Sequence, residues 1–231
     1  MTRILLVGHG RMGVLVEQLA PEYGCEIAAI VTEETGIAGI AAAPDSTDVA
    51  IDFTAPDAVV ANIQALAERR INVVFGTTGW HAHEPAVRAV AERHGIGILA
   101  ASNFSIGLHI FRGAVAKAAA AFAAEDAVGA WIHEAHHIAK KDAPSGTALT
   151  LKTAMVAAGY ARPIDVSSTR AGSIPGTHTV GFDGPSETVT LTHTVRDRAV
   201  FARGAIEVAR WLVGKRGWLT MDDYLMSRAR L

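Results

Sequence analysis

The chain has one cysteine, Cys25, in 231 residues. No disulfide can form within it, so a disulfide framework is excluded and a reducing compartment, the cytoplasm, is the expected location. A basic run is also missing. Lysine and arginine are scattered and the formal net charge is -2, which gives no reason to expect nucleic-acid binding. Long apolar runs are absent too. The longest, AVAKAAAAFAAEDAVGAWI (114–132), is broken by Lys117, Glu125 and Asp126, whereas a membrane span needs about 20 uninterrupted apolar residues. The opening MTRILLVGHG is too short in its apolar part for a signal peptide. The expectation is a soluble protein with neither membrane nor nucleic acid as partner. No repeat stands out, and low complexity is confined to the alanine-rich stretch 114–124, which suits a packed helix.

Half of the residues are apolar, enough for a substantial core. RILLVG (3–8), EIAAIVT (26–32), VAIDFT (49–54), INVVFGTT (71–78) and GILAAS (97–102) read as buried strands. Helical spacing follows at 12–20, stopping at Pro21, at 55–70, with Pro56 at its start and Thr54 or Asp57 near the cap, and at 84–95, closed by Gly95. The link between the second and third strands is poor in helix signal, and that unit is expected to lack a proper helix. Strands alternating with helices imply a parallel sheet built from right-handed βαβ units. After Ser102 the rhythm changes to one long helix (105–124), a strand (127–135), a polar loop, a helix (146–158), two alternating β segments (177–182 and 187–195) and a helix (201–215). The expected fold class is α/β: an N-terminal Rossmann-type parallel sheet over residues 1–103, completed by the C-terminal helix from about 201 to 231, and a second α+β domain with a mixed sheet over 104–200.

Gly8-His9-Gly10-Arg11-Met12-Gly13 is G-x-G-x-x-G between a strand and a helix, the context that the dinucleotide fingerprint requires. Gly8 permits the tight turn, Gly10 lets the backbone approach a pyrophosphate, and Gly13 allows close strand–helix packing. Glu33 and Glu34 end the second strand, about 20 residues on, where an acid bonds the ribose hydroxyls. An acid there repels a 2′-phosphate and favours NADH, while Arg11 keeps NADPH open. Phe53-Thr54 and Gly76-Thr77-Thr78-Gly79 lie at carboxyl ends of parallel strands, where doubly wound folds bind ligands.

His133-Glu134-Ala135-His136-His137 fits the zinc-protease pattern H-E-x-x-H. Its context argues against zinc. AVGAWI before it reads as a strand, Lys140 and Lys141 follow, and no glutamate occurs between Glu134 and Glu187 to act as a further ligand. No metal is expected. His136, His137 and Lys140 instead lie just ahead of Ser145-Gly146-Thr147, which opens a helix whose free N–H groups suit a carboxylate. Together they describe a pocket for a dianion with a general acid in it, a task suited to histidine near neutral pH.

These pieces resemble the dihydrodipicolinate reductase (4-hydroxy-tetrahydrodipicolinate reductase) family over nearly the whole chain. The match runs through VGHGRMG (7–13), IDFT (51–54), FGTTG (75–79), ASNFSIGLH (101–109), EAHHIAKKDAPSGTA (134–148), TRAGSIPGTHTVGF (169–182) and FARGA (201–205). The brief segment between Glu34 and Asp48 is like that of the family's shorter members. The resemblance implies that His136 is the general acid and Lys140 the second catalytic donor. It implies that His137, Gly146 and Thr147 contact the substrate carboxylates, with Arg198 reaching the substrate site. Gly8, Arg11, Met12, Gly76, Thr78, Ala101, Asn103 and Phe104 fall where the family's cofactor, NADH or NADPH, lies. The implied reaction is hydride transfer from nicotinamide to an unsaturated cyclic imine dicarboxylate, in diaminopimelate and lysine biosynthesis, by a homotetramer joined through the second domain's sheet. Arg203 departs from the family, which often has Asn or Glu there, and its charge is expected to influence cofactor choice. A paralogous reductase of another cyclic imine dicarboxylate, a zinc hydrolase using His133, His136 or His137, and a non-catalytic dinucleotide sensor are the competing readings.

Overall fold

A computed structural model describes residues 1–229. The chain divides into two compact units, Met1–Ser105 joined by the chain from Ala199 onward, and Ile106–Arg198. The sequence put the joints after residues 103 and 200. Packing sets them at Ser105 and Ala199 instead, because Phe104 is buried with its carbonyl against Gly204.

In the first unit, β1 (Thr2–Val7), α1 (Arg11–Leu19), β2 (Cys25–Val31), α2 (Gly36–Ala41), β3 (Val49–Asp52), α3 (Val59–Glu68), β4 (Asn72–Phe75), α4 (Glu84–His94) and β5 (Gly97–Ala100) alternate along the chain. The later segment adds α7 (Ala199–Leu212), β10 (Gly217–Leu219) and α8 (Met221–Ala229). The six strands form one sheet in the order β10-β5-β4-β3-β1-β2, with every pairing parallel. β3 and β4 are buried throughout, the pattern of strands covered on both faces. Leu5, Val7, Ala50, Val73 and Phe75 pack with Ile63, Leu66 and Val87 on one side. On the other, α7 lies against β3, β4 and α1, burying Ala202, Ala205, Ile206, Val208, Ala209 and Leu212. Asn72 pins that helix: its Nδ2 donates to the carbonyls of Leu212 (2.8 Å) and Lys215 (2.9 Å), while its Oδ1 accepts from the Gly97 N–H (2.7 Å).

Several local expectations need correcting. The link between β2 and β3 does hold a helix, α2; two glycines in GIAGIA hide it from propensity, and burial of Ile40 in the core anchors it. Neither Thr54 nor Asp57 caps α3. A 3₁₀ turn over Pro56–Ala58 leads into that helix without a side-chain cap, and the Thr54 hydroxyl donates to Asp52 Oδ1 (2.6 Å). α1 ends at Leu19, and Pro21 sits in a following 3₁₀ turn.

The second unit contains α5 (Ile106–Phe122), β6 (Gly129–His136), α6 (Gly146–Ala157), β7 (Ile164–Arg170), β8 (Thr177–Asp183) and β9 (Thr188–Thr194). Its four-stranded sheet runs β7-β6-β8-β9 and is mixed: β6 and β7 are parallel, the other pairs antiparallel. One face packs Ile132, Val180 and Phe182 against Leu108, Val115, Leu151 and Met155 of the two helices. Arg162 closes α5 by donating to the carbonyls of Phe122 (2.7 Å), Ala123 and Val128 (both 3.1 Å). β7 was not expected. Its IDVSSTR is mostly polar, and only Ile164 and Val166 join the core.

Candidate active site

The loops at the carboxyl ends of β1, β3 and β4 meet in the first unit. β2 and β3 lie on opposite sides of β1, so these loops stand at the topological switch point, where such sheets bind ligands. Gly8 has φ +89, and a Cβ there would lie 2.7 Å from the Phe53 carbonyl oxygen. A Cβ on Gly13 would lie 2.2 Å from the Gly8 carbonyl oxygen, so α1 can approach the turn only with glycine. Gly10 is the N-cap of α1, has open space where a Cβ would point, and offers no side-chain cap to the helix. The first turn of α1 also contains no acidic residue. Bare N–H groups and an open approach fit a dinucleotide pyrophosphate.

The other expected cofactor residues divide into two sets. Arg11, Glu33 and Thr78 are exposed, and Met12, Phe53, Gly76, Ala101 and Asn103 are half-buried. Thr77 and Phe104 are buried, at 6% and 1% exposure. The Thr77 hydroxyl donates to the Thr54 carbonyl (3.2 Å) and the Phe104 ring meets Phe53 edge-on at 6.0 Å, so both brace the loops from beneath. Gly76 must be glycine for Phe53, since a Cβ there would lie 2.2 Å from the Phe53 ring. Arg203 is elsewhere. It pairs with Glu22 at 2.5 Å, past the C-terminal end of α1, while the fingerprint is at the N-terminal end of that helix.

In the second unit the H-E-x-x-H stretch lies on β6. Strand periodicity gives Glu134 and His136 one face and His133 the other. His133 Nδ1 meets Ser167 Oγ at 2.9 Å on β7. Histidines 133 and 137 are four residues apart along extended chain, roughly 13 Å, too far for one zinc ion.

Glu134 is fully buried. The Arg170 guanidinium grips its carboxylate, Nη2 to Oε1 at 2.6 Å and Nη1 to Oε2 at 3.0 Å. His136 Nδ1 is hydrogen-bonded to Oε2, and the Ser145 N–H donates to Oε1 (3.3 Å). Burial alone would raise the Glu134 pKa, but Arg170, Ser168 and His136 together bring it down to about 2. An ionised carboxylate only accepts hydrogen bonds, so His136 Nδ1 carries the proton and Nε2 has a free lone pair. Nε2 lies beside Gly176, where a Cβ would come within 3.2 Å. Burial lowers the His136 pKa; Glu134 opposes that, and Lys140 and Arg170 add to it. His178 on β8 stands edge-on to His136 at 5.1 Å, and burial pushes its pKa down to about 4.

Ligating atoms of Glu134, His136 and His178 lie within 4.8 Å of one another. The carboxylate in this group is already held by a guanidinium on both oxygens and by Nδ1–H, so its chemistry is that of a hydrogen-bond relay rather than of a cation site.

Lys140 Nζ donates to both Asp142 oxygens, at 2.8 and 2.9 Å, and that pairing lowers the Asp142 pKa. Ser145 is the N-cap of α6: its Oγ accepts from the Ala148 N–H (3.2 Å) and lies 3.1 Å from His178 Nε2. At 2% exposure its hydroxyl is committed inward. Gly146 is exposed and Thr147 half-buried at the start of the helix. His137 follows β6, half-buried; Arg198 is exposed at the end of the unit and hydrogen-bonds to none of these residues. The structure thus brings His136, Lys140, Ser145 and the start of α6 into one network. Sequence reasoning gave no role to four of its members, Glu134, Arg170, Asp142 and His178. A strand period of two over 134–136 was the available signal for Glu134.

The chain matches the models for the N-terminal part of dihydrodipicolinate reductase over residues 2–104 and for its C-terminal part over residues 107–225. It is 32% identical to the 4-hydroxy-tetrahydrodipicolinate reductase of Christiangramia forsetii, covering 96% of this chain and 97% of that one. It is 35% identical to the enzyme of the same name from Methanoregula boonei, over 97% and 98%. Among solved structures, the dipicolinate-bound dihydrodipicolinate reductase of Paenisporosarcina sp. TG-14 shares the fold with a TM-score of 0.78, at 20% identity over 95% of this chain and 98% of that one. On both halves of its length, the chain belongs to the dihydrodipicolinate reductase family.

Proposed function

We propose that the chain reduces 4-hydroxy-tetrahydrodipicolinate to tetrahydrodipicolinate with NAD(P)H, in diaminopimelate and lysine biosynthesis, and that His136 delivers the proton. The observation that carries this reading is the paired His136: Nδ1 is held by an ionised buried carboxylate and Nε2 is left with a free lone pair.

The first unit binds the dinucleotide, with Gly8, Gly10, Arg11, Met12 and Gly13 at the pyrophosphate and Glu33 at the adenosine ribose. The bound dinucleotide supplies a hydride. The second unit binds the substrate, a ring with two carboxylates. The Gly146 and Thr147 N–H groups at the α6 N-terminus take one carboxylate, with His137 beside it. Dipicolinate, named as bound in the Paenisporosarcina relative, is a ring dianion of the same kind. Lys140 exchanges its partner Asp142 for the substrate and supplies positive charge where negative charge builds on the ring.

Burial, helped by the cationic neighbours Lys140 and Arg170, lowers the His136 pKa against the opposing pull of Glu134. A dianion arriving beside it reverses the sign of that field and raises its pKa, so substrate itself loads Nε2 with the proton to be given. The 4-hydroxyl leaves as water, the conjugated imine that remains takes the hydride, and the reduced ring then needs that one proton to complete the reaction. Glu33 leans the cofactor choice toward NADH. A homotetramer in the cytoplasm is the assembly and location that family membership favours, and among the described residues no helix is long and apolar enough to cross a membrane.

The test is oxidation of NADH and NADPH with substrate made in place from pyruvate and aspartate semialdehyde. His136→Gln should lower turnover by roughly 10²–10⁴ and leave the Kd for the dinucleotide unchanged. A normal rate in that variant would overturn the acid assignment.

A further inference from the structure

Arg170 and Glu134 join His136, the Lys140–Asp142 loop and the N-cap of α6. Glu134 Oε2 meets His136 Nδ1. Oε1 accepts from the N–H of Ser145, the N-cap of α6 (3.3 Å). Arg170 Nη2 bridges Oε1 (2.6 Å) and the carbonyl of Asp142 (2.5 Å), the residue that pairs with Lys140. Nη1 joins Oε2 to the Thr169 carbonyl (2.8 Å). One ion pair, its carboxylate fully buried, is therefore bonded to the candidate acid, to the loop of the candidate lysine and to the N-cap of α6.

We propose that Glu134 and Arg170 are positioning residues for the proton transfer: Arg170 fixes the Glu134 carboxylate, and Glu134 fixes the tautomer of His136. The inference rests on His136 being the acid, as proposed above. A guanidinium has donors only, so the two oxygens it holds must both be acceptors. That leaves His136 no choice but Nδ1–H, and Nε2 becomes the atom that takes up and releases the catalytic proton. Removing the analogous orienting carboxylate in a histidine-dependent protease leaves the geometry in place and the tautomer wrong, with a large loss of rate. Other charged or titratable groups around the ring are His178 on β8 and Lys140 with Asp142 in the loop. None of them is bonded to Nδ1.

Glu134→Gln separates this role from a purely structural one. Arg170 Nη2 and the Ser145 N–H both point at the Oε1 position, so the amide oxygen stays there, and the amide NH₂ takes the Oε2 position, gives up the bond from Arg170 Nη1 and faces His136. Nδ1 then becomes an acceptor and the ring proton moves to Nε2. Imidazole ¹⁵N spectra of the full-length protein read this directly, with the His136 signal identified by its loss in His136→Gln. The wild type should show the Nδ1–H tautomer when neutral, and Glu134→Gln the Nε2–H tautomer. In the same variant kcat should fall by roughly 10²–10⁴, and the alkaline limb of its pH profile should move to lower pH, because the carboxylate no longer supports the imidazolium. Glu134→Asp, which keeps the charge, should retain the wild-type tautomer.

An Nε2–H tautomer in the wild type would overturn the proposal even if no variant folds. So would an unchanged tautomer with kcat within about twofold in Glu134→Gln, set against the 10²-fold or greater loss expected. Arg170→Lys cannot bridge Oε1 and the Asp142 carbonyl, and should lower kcat by roughly 10-fold or more; an unchanged kcat removes Arg170. If His136→Gln is fully active, the acid assignment fails by itself, whereas the tautomer measurement still reports whether Glu134 holds the ring.

Discussion

Gly204 of α7 rests on the backbone of Phe104: a Cβ at 204 would stand 1.8 Å from the Phe104 carbonyl oxygen. This contact lets the returning segment of chain lie flat on the first unit, and it gives the F-A-x-G-A stretch (201–205) a physical meaning. Gly204→Ala must push α7 off the strand ends. It should destabilise the protein by about 1–3 kcal/mol, the usual range for overpacking, and weaken dinucleotide binding through Phe104 and its ring partner Phe53. Thermal melts with and without NADH measure both effects, and an unchanged melting temperature would contradict the packing argument.

The His136 environment sets a pH dependence with a definite sign. In the free protein its pKa lies below the usual 6.5, because burial outweighs Glu134. A general acid is lost as pH rises through its pKa. The log of kcat/KM, which reports the free enzyme, should therefore fall above a midpoint lower than 6.5. If the substrate dianion binds beside His136 as proposed, it should raise the same pKa, and the midpoint in kcat should lie at higher pH. Coincident midpoints would show that the substrate charge does not reach the ring.

Acid stability follows from His178. Its folded pKa is about 4, against 6.5 for an unperturbed histidine. Between those values the unfolded chain takes up a proton that the folded one refuses, so stability drops as pH falls from 6.5 to 4 and this contribution levels off below. Its full size is on the order of 3 kcal/mol. Glu134 adds a second loss at lower pH: its folded pKa is depressed to about 2, so its stabilisation is complete above the unfolded carboxylate value and disappears as pH falls toward 2. Urea midpoints at pH 7 and pH 5 should differ in the wild type, and His178→Gln should flatten that difference. An equal slope in the variant would move the effect to other groups.

Cofactor choice separates two residues. Glu33→Gln should weaken NADH more than NADPH, because a carboxylate at the end of β2 favours a ribose hydroxyl and repels a 2′-phosphate. Equal effects would remove it from the ribose site. Arg203→Asn should leave the ratio of the two affinities unchanged, since Arg203 is engaged by Glu22 past the far end of α1. A shift in that ratio would mean that its charge acts at a distance.

The parallel sheet was legible because buried strands announce themselves as apolar runs, and the fingerprint because Gly8, Gly10 and Gly13 have a fixed geometric task. What escaped was held by tertiary contact. α2 survives two glycines because Ile40 is buried in the core. β7 carries Ser167, Ser168 and Thr169 where a strand signal would want apolar residues, and it exists by pairing along the whole of β6. In the site, His136 and Lys140 were visible as residue types suited to proton transfer. Arg170 is 36 residues from Glu134, and only the parallel pairing of β6 with β7 makes them neighbours. Ser145 was rightly read as opening a helix, but its hydroxyl turned inward because the N-cap role and His178 both claim it.

The position of α7 has a consequence for how the protein is made. Synthesis delivers β1 to β5 first, then all of the second unit, and only then the helix that covers one side of the first sheet. Throughout that interval the growing polypeptide displays a bare apolar surface formed by the faces of β3 and β4 that α7 will occupy. A chain cut short before Ala199 would keep that surface, with no helix of its own to cover it.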